Sequence, residues 1–151
     1  MTGKSMQAAD AQFTTRVEES FARQRALQTI GAQLQTVTPG LVEIRLDFRP
    51  ELGQQNGFLH AGMSATIADT AGGYAAMSLF SEGEDVLTTE FKLNLLAPAQ
   101  GEYFVARGKV IKSGRSLSIC QIEVAAFRGG VESLCAYGLM TAMRMQPPKS
   151  K

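Results

Sequence analysis

The chain has 151 residues, of which 44% are hydrophobic, and its 15 Lys and Arg residues nearly balance its 14 Asp and Glu residues. This length fits one domain, placed at residues 1–151, that can bury a core without disulfide or metal support. A net charge near zero produces no field that would attract nucleic acid or an anionic membrane surface, so neither is expected as a partner.

The N-terminal region predicts a single surface helix. Between Asp10 and Ile30, apolar side chains recur at rough helical spacing, with charged residues on the other side. The charges in the first thirty residues leave no apolar stretch for a signal peptide, so a cytoplasmic location is expected. Residues 1–9 and 146–151 are polar or contain proline, and they are expected to be loose ends.

A β-hairpin is predicted next. Residues 33–37 and 41–48 alternate apolar with polar side chains, and the turn residues Thr38, Pro39 and Gly40 stand between them. Pro50 and Gly53 then break the chain before the central segment.

The central segment, residues 58–80, predicts a long helix that is buried all round. Apolar side chains recur at helical spacing on one face, at Met63, Ile67, Ala71 and Tyr74. The opposite face carries small residues instead of charged ones. The segment is long enough to span a bilayer, but Asp69, His60, its glycines and its hydroxyls make a membrane helix a poor interpretation.

Two adjacent glycines interrupt this helix. Gly72 and Gly73 each cost about 1 kcal/mol relative to alanine in a helix interior. This cost indicates that another backbone or a ligand approaches the helix closely at that point.

Four strand-like stretches follow, at residues 86–96, 101–113, 116–128 and 131–145. Short turn segments separate them, and connections this short favour antiparallel pairing. The predicted fold class is therefore α+β, with a long central helix wrapped by an antiparallel β-sheet of five to six strands and preceded by an N-terminal helix.

The two cysteines, Cys120 and Cys135, stand in apolar contexts and are interpreted as buried core thiols. Their spacing is unlike that of a zinc site, and the chain has only one histidine to complete one. Neither a metal nor a cofactor is expected.

Asp69 and His60 are the candidates for chemistry. Asp69 is the only fully charged side chain between Leu52 and Ser81, and His60 is the only histidine. A carboxylate in an apolar, glycine-rich helix is costly to bury, and such groups concentrate at functional sites. At the start of the helix, the N–H of Ala61 lacks an intrahelical acceptor, so it can serve as an oxyanion hole.

The spacing of these groups predicts a homodimer. Asp69 lies eight residues after Ala61, which corresponds to about 12 Å along a helix axis. One helix therefore cannot bring both groups to the same small reacting centre. If two copies pack antiparallel across a twofold axis, the start of one helix lies beside the middle of the other, and two composite sites form.

Two runs of residues resemble a known family. The run GFLHAGMSATIADTA at residues 57–71 and the run LTTEFKLNLLAPA at residues 87–99 resemble the hotdog-fold acyl-CoA thioesterases of the phenylacetate-pathway (PaaI-like) type. The resemblance extends to the preceding hairpin and to the turn from Lys112 to Ser116, and it covers about residues 13–145. It implies hydrolysis of an acyl- or aryl-CoA thioester by a homodimer, often paired into a homotetramer, with its sites at the dimer interface.

The same resemblance implies catalytic roles. Asp69, nine residues after His60, matches the nucleophile or general base. The N–H of Ala61 matches the donor to the thioester carbonyl, Gln54 matches the residue that holds the carbonyl or water, and Thr88 matches the residue that positions the water. Whether Asp69 attacks the carbonyl directly or through a water stays open.

Further residues are assigned to the substrate. Asn56, Gly62 and Gly73 are placed at the substrate-binding surface, and Lys112 and Arg115 are candidates for the coenzyme A phosphates. The chain departs from the family at two positions. Many relatives have Gly where this chain has Ala61, and some have Ser or Thr where it has Gly73.

Alternatives stay open at several residues. Asp69 and His60 could be structural hydrogen-bond partners, Gln55 or Asn56 could replace Gln54, and Thr88 could be an ordinary strand residue. A further group could line an acyl tunnel or simply fill the core: Phe58, Leu59, Met63, Tyr74 and Met77. Phe58, Tyr74 and Phe80 are compatible with an aromatic or medium-chain acyl group. The competing functions are a non-hydrolytic acyl-CoA-binding protein and a hotdog enoyl-thioester hydratase or dehydratase.

Overall fold

The computed structural model describes residues 6–147. Six antiparallel strands form one sheet: β1 (Gln33–Thr38), β2 (Leu41–Asp47), β3 (Asp85–Leu95), β4 (Tyr103–Ser113), β5 (Leu117–Arg128) and β6 (Val131–Met145). The long helix α3 (Ala61–Met77) packs against the sheet, and a 3₁₀ turn (Pro50–Leu52) precedes it. The predicted α+β class, the hairpin and all four later strands are confirmed.

The strand order places β3 at one edge of the sheet. The order is β1-β2-β4-β5-β6-β3, so β3 follows α3 in the chain but pairs only with β6, the last strand. Helix α3 contacts β3 at this edge, and Asp69 on α3 lies beside Thr88 near the start of β3. This arrangement decides which side chains meet at the candidate site.

The predicted N-terminal helix is confirmed, but the region predicted as one helix consists of two. They are α1 (Phe13–Ala22) and α2 (Arg25–Ile30), and the chain between them is extended at Gln24, with φ −79° and ψ 97°. Each helix buries one side chain, Val17 of α1 and Leu27 of α2.

The predicted loose ends make contacts where they are described. Met6 is partly buried and packs beside Gly40, and the Gln146 side chain donates to Glu84 Oε1 at 2.7 Å. Residues 1–5 and 148–151 of those predicted ends lie outside the described residues.

Helix α3 is buried only in part, which corrects the prediction that it is buried all round. Its second half, residues 71–77, is fully buried against the sheet. In its first half one stripe keeps exposed or partly exposed side chains: Ala61, Gly62, Ala65, Thr66, Asp69 and Thr70. No helix within residues 6–147 is long and apolar enough to cross a membrane.

The two adjacent glycines of α3, Gly72 and Gly73, have different surroundings. A Cβ on Gly72 would lie 2.0 Å from Met140 Sδ and 2.7 Å from Ile122 Cγ2, so the sheet itself requires a glycine there. A Cβ on Gly73 would meet only Val86 Cγ1, at 3.9 Å. The close approach predicted for this pair is confirmed at Gly72, whereas Gly73 borders open space.

These two positions give a matched pair of substitutions. Gly72→Ala should lower the free energy of unfolding by about 1–3 kcal/mol, since the added methyl overpacks the contact with β5 and β6. Gly73→Ala should raise it by up to about 1 kcal/mol, because alanine is the better helix former. Urea unfolding of both variants measures the difference, and equal effects would contradict the packing described for Gly72.

Candidate active site

The side chain of His60 caps helix α3. His60 has an extended backbone (φ −62°, ψ 135°), and its Nδ1 accepts a hydrogen bond from the Gly62 N–H at 2.9 Å. The His60 carbonyl accepts from Met63 and Ser64 at 2.9 and 3.3 Å. Because Nδ1 is an acceptor, the neutral ring carries its proton on Nε2.

The N–H of Ala61 is left without such a partner. The hydrogen bonds among residues 6–147 account for the N–H groups of Gly62, Met63 and Ser64, but they include none from Ala61. Ala61 is exposed and is the first residue of α3, where the helix dipole favours negative charge. A carbonyl oxygen that gains negative charge is therefore stabilised at this N–H.

A tight turn brings Gln54 to the same place. The Gln54 N–H donates to the Phe58 carbonyl at 2.8 Å, and Gly57 adopts φ +81°, a backbone conformation that favours glycine. The His60 N–H donates to the Leu52 carbonyl at 2.9 Å, which closes the loop. The turn therefore holds residues 54–59 against the start of α3.

The first cavity, called here the Ala61 cavity, has a volume of about 580 Å³. Of the three polar candidates in the turn, Gln54 and Gln55 line it, whereas Asn56 is exposed on the turn. The Asn56 N–H instead donates to Gln54 Oε1 at 2.5 Å. The remaining lining residues come from the loop, from α3 and from the ends of β3 and β6: Phe58, Leu59, His60, Ala61, Ser64, Leu95, Leu96, Ala97, Pro98, Ala99 and Cys135.

Asp69 lies beside Thr88 and away from the Ala61 cavity. The Thr88 hydroxyl donates to Asp69 Oδ1 at 2.7 Å, and both side chains are partly exposed. The register of β3 against β6 shifts between Thr88 and Glu90, so β3 has a bulge at this point. Bulges of this kind re-aim side chains next to functional sites.

A second cavity of about 380 Å³, called here the Asp69 cavity, surrounds this pair. Its lining is mostly polar and comes from α1, the α1–α2 break, α3 and the start of β3: Ser20, Gln24, Asp69, Thr70, Gly73, Tyr74, Asp85, Val86, Leu87 and Thr88. Within residues 6–147, its lining includes two carboxylates, Asp69 and Asp85, and no cationic side chain.

The two cavities contain different halves of the predicted site. Gln54, His60 and Ala61 line one, while Asp69 and Thr88 line the other. No residue is common to the two linings, in agreement with the separation of about 12 Å that the helix rise gives between Ala61 and Asp69. One copy of the chain therefore does not bring the predicted catalytic groups together.

The other residues predicted to contact the substrate lie at different places in the structure. Gly73 lines the Asp69 cavity, and Gly62 lies at the helix start with its N–H bonded to His60. Lys112 and Arg115 are exposed at the end of β4 and in the β4–β5 turn, and neither lines either cavity. A cation that the sequence analysis missed, Arg128, lines a neighbouring cavity that shares three residues with the Ala61 cavity: Ala97, Pro98 and Cys135.

Sequence reasoning also missed the polar wall of the Asp69 cavity. The Tyr74 hydroxyl accepts from Gln24 Nε2 at 2.7 Å and donates to Ser20 Oγ at 3.0 Å. Ser20 and Gln24 precede Tyr74 by some fifty residues, and neither belongs to a recognisable motif. Only the docking of α1 on α3 brings them together.

The sequence analysis left five side chains as either acyl-tunnel or core residues. Of these, Phe58 and Leu59 line the Ala61 cavity and Tyr74 lines the Asp69 cavity. Met77 is buried in the core, and Met63 packs against it. Among residues 6–147, no three His, Cys, Asp or Glu side chains are grouped closely enough to hold a metal ion.

The chain is similar to known thioesterases in sequence and in structure. Residues 56–133 match the thioesterase superfamily. A crystal structure of a thioesterase family protein from Silicibacter pomeroyi is 45% identical, covers 89% of this chain and 98% of its own, and superposes with a TM-score of 0.87. A 1,4-dihydroxy-2-naphthoyl-CoA hydrolase from Listeria monocytogenes is 28% identical over 64% of this chain and 79% of its own length.

A more distant structure has the same fold. The PaaI protein from the phenylacetic acid degradation operon of E. coli is 16% identical, covers 90% of this chain and 95% of its own, and superposes with a TM-score of 0.78. At this identity the likeness concerns the fold alone. It matches the hotdog fold that the two sequence runs imply.

Because both thiols are buried, we expect neither to react in the folded protein. This also matters for any assay that detects a thiol released from the substrate. Burial raises the pKa of Cys120 to about 12 and also raises the pKa of Cys135. Because the thiolate is the reactive form, neither should react with a chromogenic disulfide reagent at pH 8 in the folded protein. Both should react in guanidinium chloride. Rapid titration of one thiol in the native protein would contradict the burial described for that residue.

Proposed function

The chain belongs to the thioesterase superfamily, and from this we propose that it hydrolyses an acyl-CoA thioester to a free acid and coenzyme A. One observation carries the proposal: the Asp69 carboxylate, held by Thr88 at 2.7 Å, borders a cavity, and a second cavity contains the N–H of Ala61, at a helix start and without an acceptor among the described residues 6–147. A nucleophile or base and an oxyanion donor are the two groups that thioester hydrolysis needs.

The proposed active site is shared by two copies of the chain. The Ala61 and Asp69 cavities are separate within one copy, and a thioester carbon has to reach both groups at once. An antiparallel pair of α3 helices brings the start of one helix beside the middle of the other. The partly exposed stripe of α3 is the surface that such a pairing would cover.

The edge strand supports the same dimer. β3 pairs only with β6, and it exposes large apolar side chains: 53% of Leu87, 44% of Phe91 and 60% of Leu95. A long apolar edge strand in water invites pairing with another chain. A second copy that adds its own β3 would satisfy the free backbone groups and cover these side chains.

A further pairing of dimers into a tetramer is proposed from the outer face of the sheet. Leu117 on β5 and Leu139 on β6 are 47% and 49% exposed on strands whose backbone groups are already paired. Exposed apolar side chains on a paired sheet mark a surface suited to contact with another dimer.

In the proposed mechanism, the thioester carbonyl oxygen accepts a hydrogen bond from the Ala61 N–H of one copy. Asp69 of the other copy either attacks the carbonyl carbon or deprotonates a water that does. In both routes a C–O bond forms, the C–S bond breaks, and coenzyme A leaves as the thiol after protonation. Direct attack adds a step in which water hydrolyses the acyl-aspartate.

Three residues support the reacting groups. Thr88 orients one carboxylate oxygen of Asp69 and leaves the other for the reaction. His60 is proposed as a positioning residue, because its cap on Gly62 helps to hold the helix start where Ala61 presents its N–H. Gln54 borders the same cavity and is proposed to hold the carbonyl or the water.

The coenzyme A phosphates require cations near the Ala61 cavity. Lys112 and Arg115 remain candidates as exposed cations, and Arg128 is added because it lines the neighbouring cavity. Arginine binds phosphate in a bidentate manner, which favours Arg128 and Arg115 over the lysine.

The role of Asp69 has a direct test. Asp69→Asn preserves the hydrogen bond from Thr88 but removes the nucleophile or base, so turnover of acyl-CoA should fall by about 10²-fold or more. Free-thiol release measures the loss, and Asp47→Asn, at an exposed carboxylate on β2, is the control that should retain activity. Undiminished turnover by Asp69→Asn would contradict the assignment. Tight acyl-CoA binding by the wild-type protein without thiol release would favour the non-hydrolytic alternative.

A substitution of Ala61 can remove the proposed oxyanion donor, its backbone N–H, without changing any reacting side chain. Proline is well tolerated at the first position of a helix, and the extended backbone of His60 suits the residue before a proline. Ala61→Pro should therefore keep α3 but lose the N–H, lowering kcat by about 10²–10³-fold. Ala61→Gly keeps the N–H and is the matched control, which should remain active.

The shared site predicts complementation between two inactive variants. Each mixed dimer of Ala61→Pro with Asp69→Asn has one site with both defects and one intact site. Equal co-expression should therefore restore about one quarter of wild-type activity if dimers form at random across a twofold interface. The purified mixed dimer, isolated with two different affinity tags, is the decisive sample, and with one intact site of two it should have about one half of wild-type activity. Absence of any recovery in that sample would show that each site lies within a single copy.

A further inference from the structure

Three serines are the buried polar side chains of residues 6–147, and one of them has no hydrogen-bond partner for its hydroxyl. The Ser78 hydroxyl accepts from the Gly40 N–H at 2.8 Å and donates to the Ala75 carbonyl at 2.7 Å. The Ser118 hydroxyl bonds to a neighbouring serine hydroxyl at 3.3 Å. The third serine, Ser64, is 1% exposed, and the hydrogen bonds among residues 6–147 include none to its hydroxyl.

The Ser64 hydroxyl opens into the Ala61 cavity, whose lining includes this residue. The fully enclosed, unpaired side-chain atoms of residues 6–147 do not include Ser64 Oγ, so this atom keeps contact with open space. On the same helix, Thr66 and Thr70 each donate to the carbonyl four residues earlier at 2.8 Å. Ser64 does not make this bond and instead presents its hydroxyl to the cavity.

The position of Ser64 brings its hydroxyl close to the proposed oxyanion donor. Ser64 follows Ala61 by three residues, and side chains at this spacing have Cβ atoms about 5–6 Å apart on one face of a helix. Helical side chains also lean toward the N-terminus, so the hydroxyl lies over the first turn of α3. A molecule whose carbonyl oxygen binds the Ala61 N–H therefore brings the adjacent atoms to Ser64.

Folding alone gives no reason for a serine at this position. A buried hydroxyl without a partner destabilises the folded state, because it loses its hydrogen bonds to water. Alanine would fill nearly the same space and is the better helix former. A partner for the Ser64 hydroxyl is therefore expected to come from a molecule bound in the cavity.

The course of the cavity indicates which part of an acyl-CoA reaches Ser64. The Ala61 cavity and the neighbouring cavity that Arg128 lines share three residues, Ala97, Pro98 and Cys135. If Arg128 binds the coenzyme A phosphates, the coenzyme A arm crosses the Ala61 cavity on its way to the thioester. The first atom of that arm is the sulfur, which is bonded directly to the carbonyl carbon.

The chemistry of the lining makes a hydrogen bond to this sulfur useful. Thioester sulfur is a weak acceptor, but it gains negative charge as the C–S bond breaks. Among residues 6–147, the lining of the Ala61 cavity includes no Lys or Arg side chain, and most of its side chains are apolar. In such surroundings a hydrogen bond to a developing anion is much stronger than in water.

We propose that Ser64 is a catalytic residue whose hydroxyl donates a hydrogen bond to the thioester sulfur as it becomes the leaving thiolate. The proposal rests on the proposed thioesterase function and adds a leaving-group donor to it. The C–S bond breaks, and its electron pair goes to the sulfur. Ser64 keeps its proton, because a serine hydroxyl is a weaker acid than a thiol, and water protonates the thiolate after it leaves.

The kinetic test uses Ser64→Ala, which removes only the hydroxyl. A panel of acetyl-, hexanoyl-, benzoyl- and phenylacetyl-CoA selects the fastest substrate of the wild-type protein. On that substrate, kcat of the variant should fall by about tenfold or more, because the bond forms only as the sulfur gains charge. KM should change by less than about twofold, since the uncharged sulfur gains little from the hydroxyl.

Ser78→Ala is the matched control, because Ser78 is a buried serine at the other end of the same helix. It loses two hydrogen bonds and should lower the thermal unfolding midpoint while retaining kcat. Ser64→Ala should show the opposite behaviour: its midpoint should stay the same or rise, because no hydrogen bond is lost and alanine favours the helix.

A pair of inhibitors tests the contact with sulfur itself. Coenzyme A and desulfo-coenzyme A differ only in the thiol, which is replaced by hydrogen in the second compound. At pH 9.5, where most of a free thiol is ionised, coenzyme A should inhibit the wild-type protein at least about fivefold more strongly than desulfo-coenzyme A. In Ser64→Ala this ratio should fall close to one. His60 and Cys135 also line the cavity, and comparing both inhibitors at one pH cancels their titration.

The outcomes separate the role of Ser64 from the proposed function. An undiminished kcat, a rise in KM alone, a midpoint lowered as much as by Ser78→Ala, or equal inhibition of the wild-type protein by the two compounds would each overturn the leaving-group role. The thioesterase function would remain in all four cases. Failure of the wild-type protein to release thiol from any acyl-CoA would overturn the proposed function itself, and the role of Ser64 with it.

Discussion

The contact between helix α3 and strand β4 is the constraint on which the rest of the structure depends. A Cβ on Gly108 would lie 2.3 Å from the carbonyl carbon and oxygen of Ala71, so strand and helix backbones touch there directly. Because no side chain separates them, the helix has little freedom to slide or rotate on the sheet. The helix carries both Ala61 and Asp69, so this single contact sets where the oxyanion donor and the carboxylate stand relative to every strand.

A rigid helix explains why the chemistry is divided between two cavities. Ala61 has to be at the helix start to present a free N–H, and Asp69 has to be further along to reach Thr88 on the edge strand. These two requirements cannot be met at one point of the same helix. The edge strand has two features: Thr88 donates a hydrogen bond to Asp69, and large apolar side chains are exposed along the strand. In the proposed dimer, catalysis and assembly would therefore depend on the same few residues of α3 and β3.

The sequence predicts the parts of this structure that arise from local patterns. Strand alternation, turn glycines and the polar contrast of Asp69 against its apolar segment are visible within short windows, and they lead to the sheet, the central helix and the choice of Asp69 as a candidate. What depends on docking could not be predicted. The break at Gln24 and the meeting of Ser20, Gln24 and Tyr74 depend on how α1 and α2 dock on the rest of the fold. Charge alone was also a weak guide, since it selected Lys112 and Arg115 in a turn but not Arg128 beside a cavity.

Two different parts of the chain line the Asp69 cavity. Asp69 and Thr88 belong to α3 and β3, whereas Ser20 and Gln24 come from α1 and the α1–α2 break, outside the family match. The hydrogen bond between Thr88 and Asp69 involves neither α1 nor α2. Substitutions on α1 can therefore change the shape of this cavity while that hydrogen bond is retained.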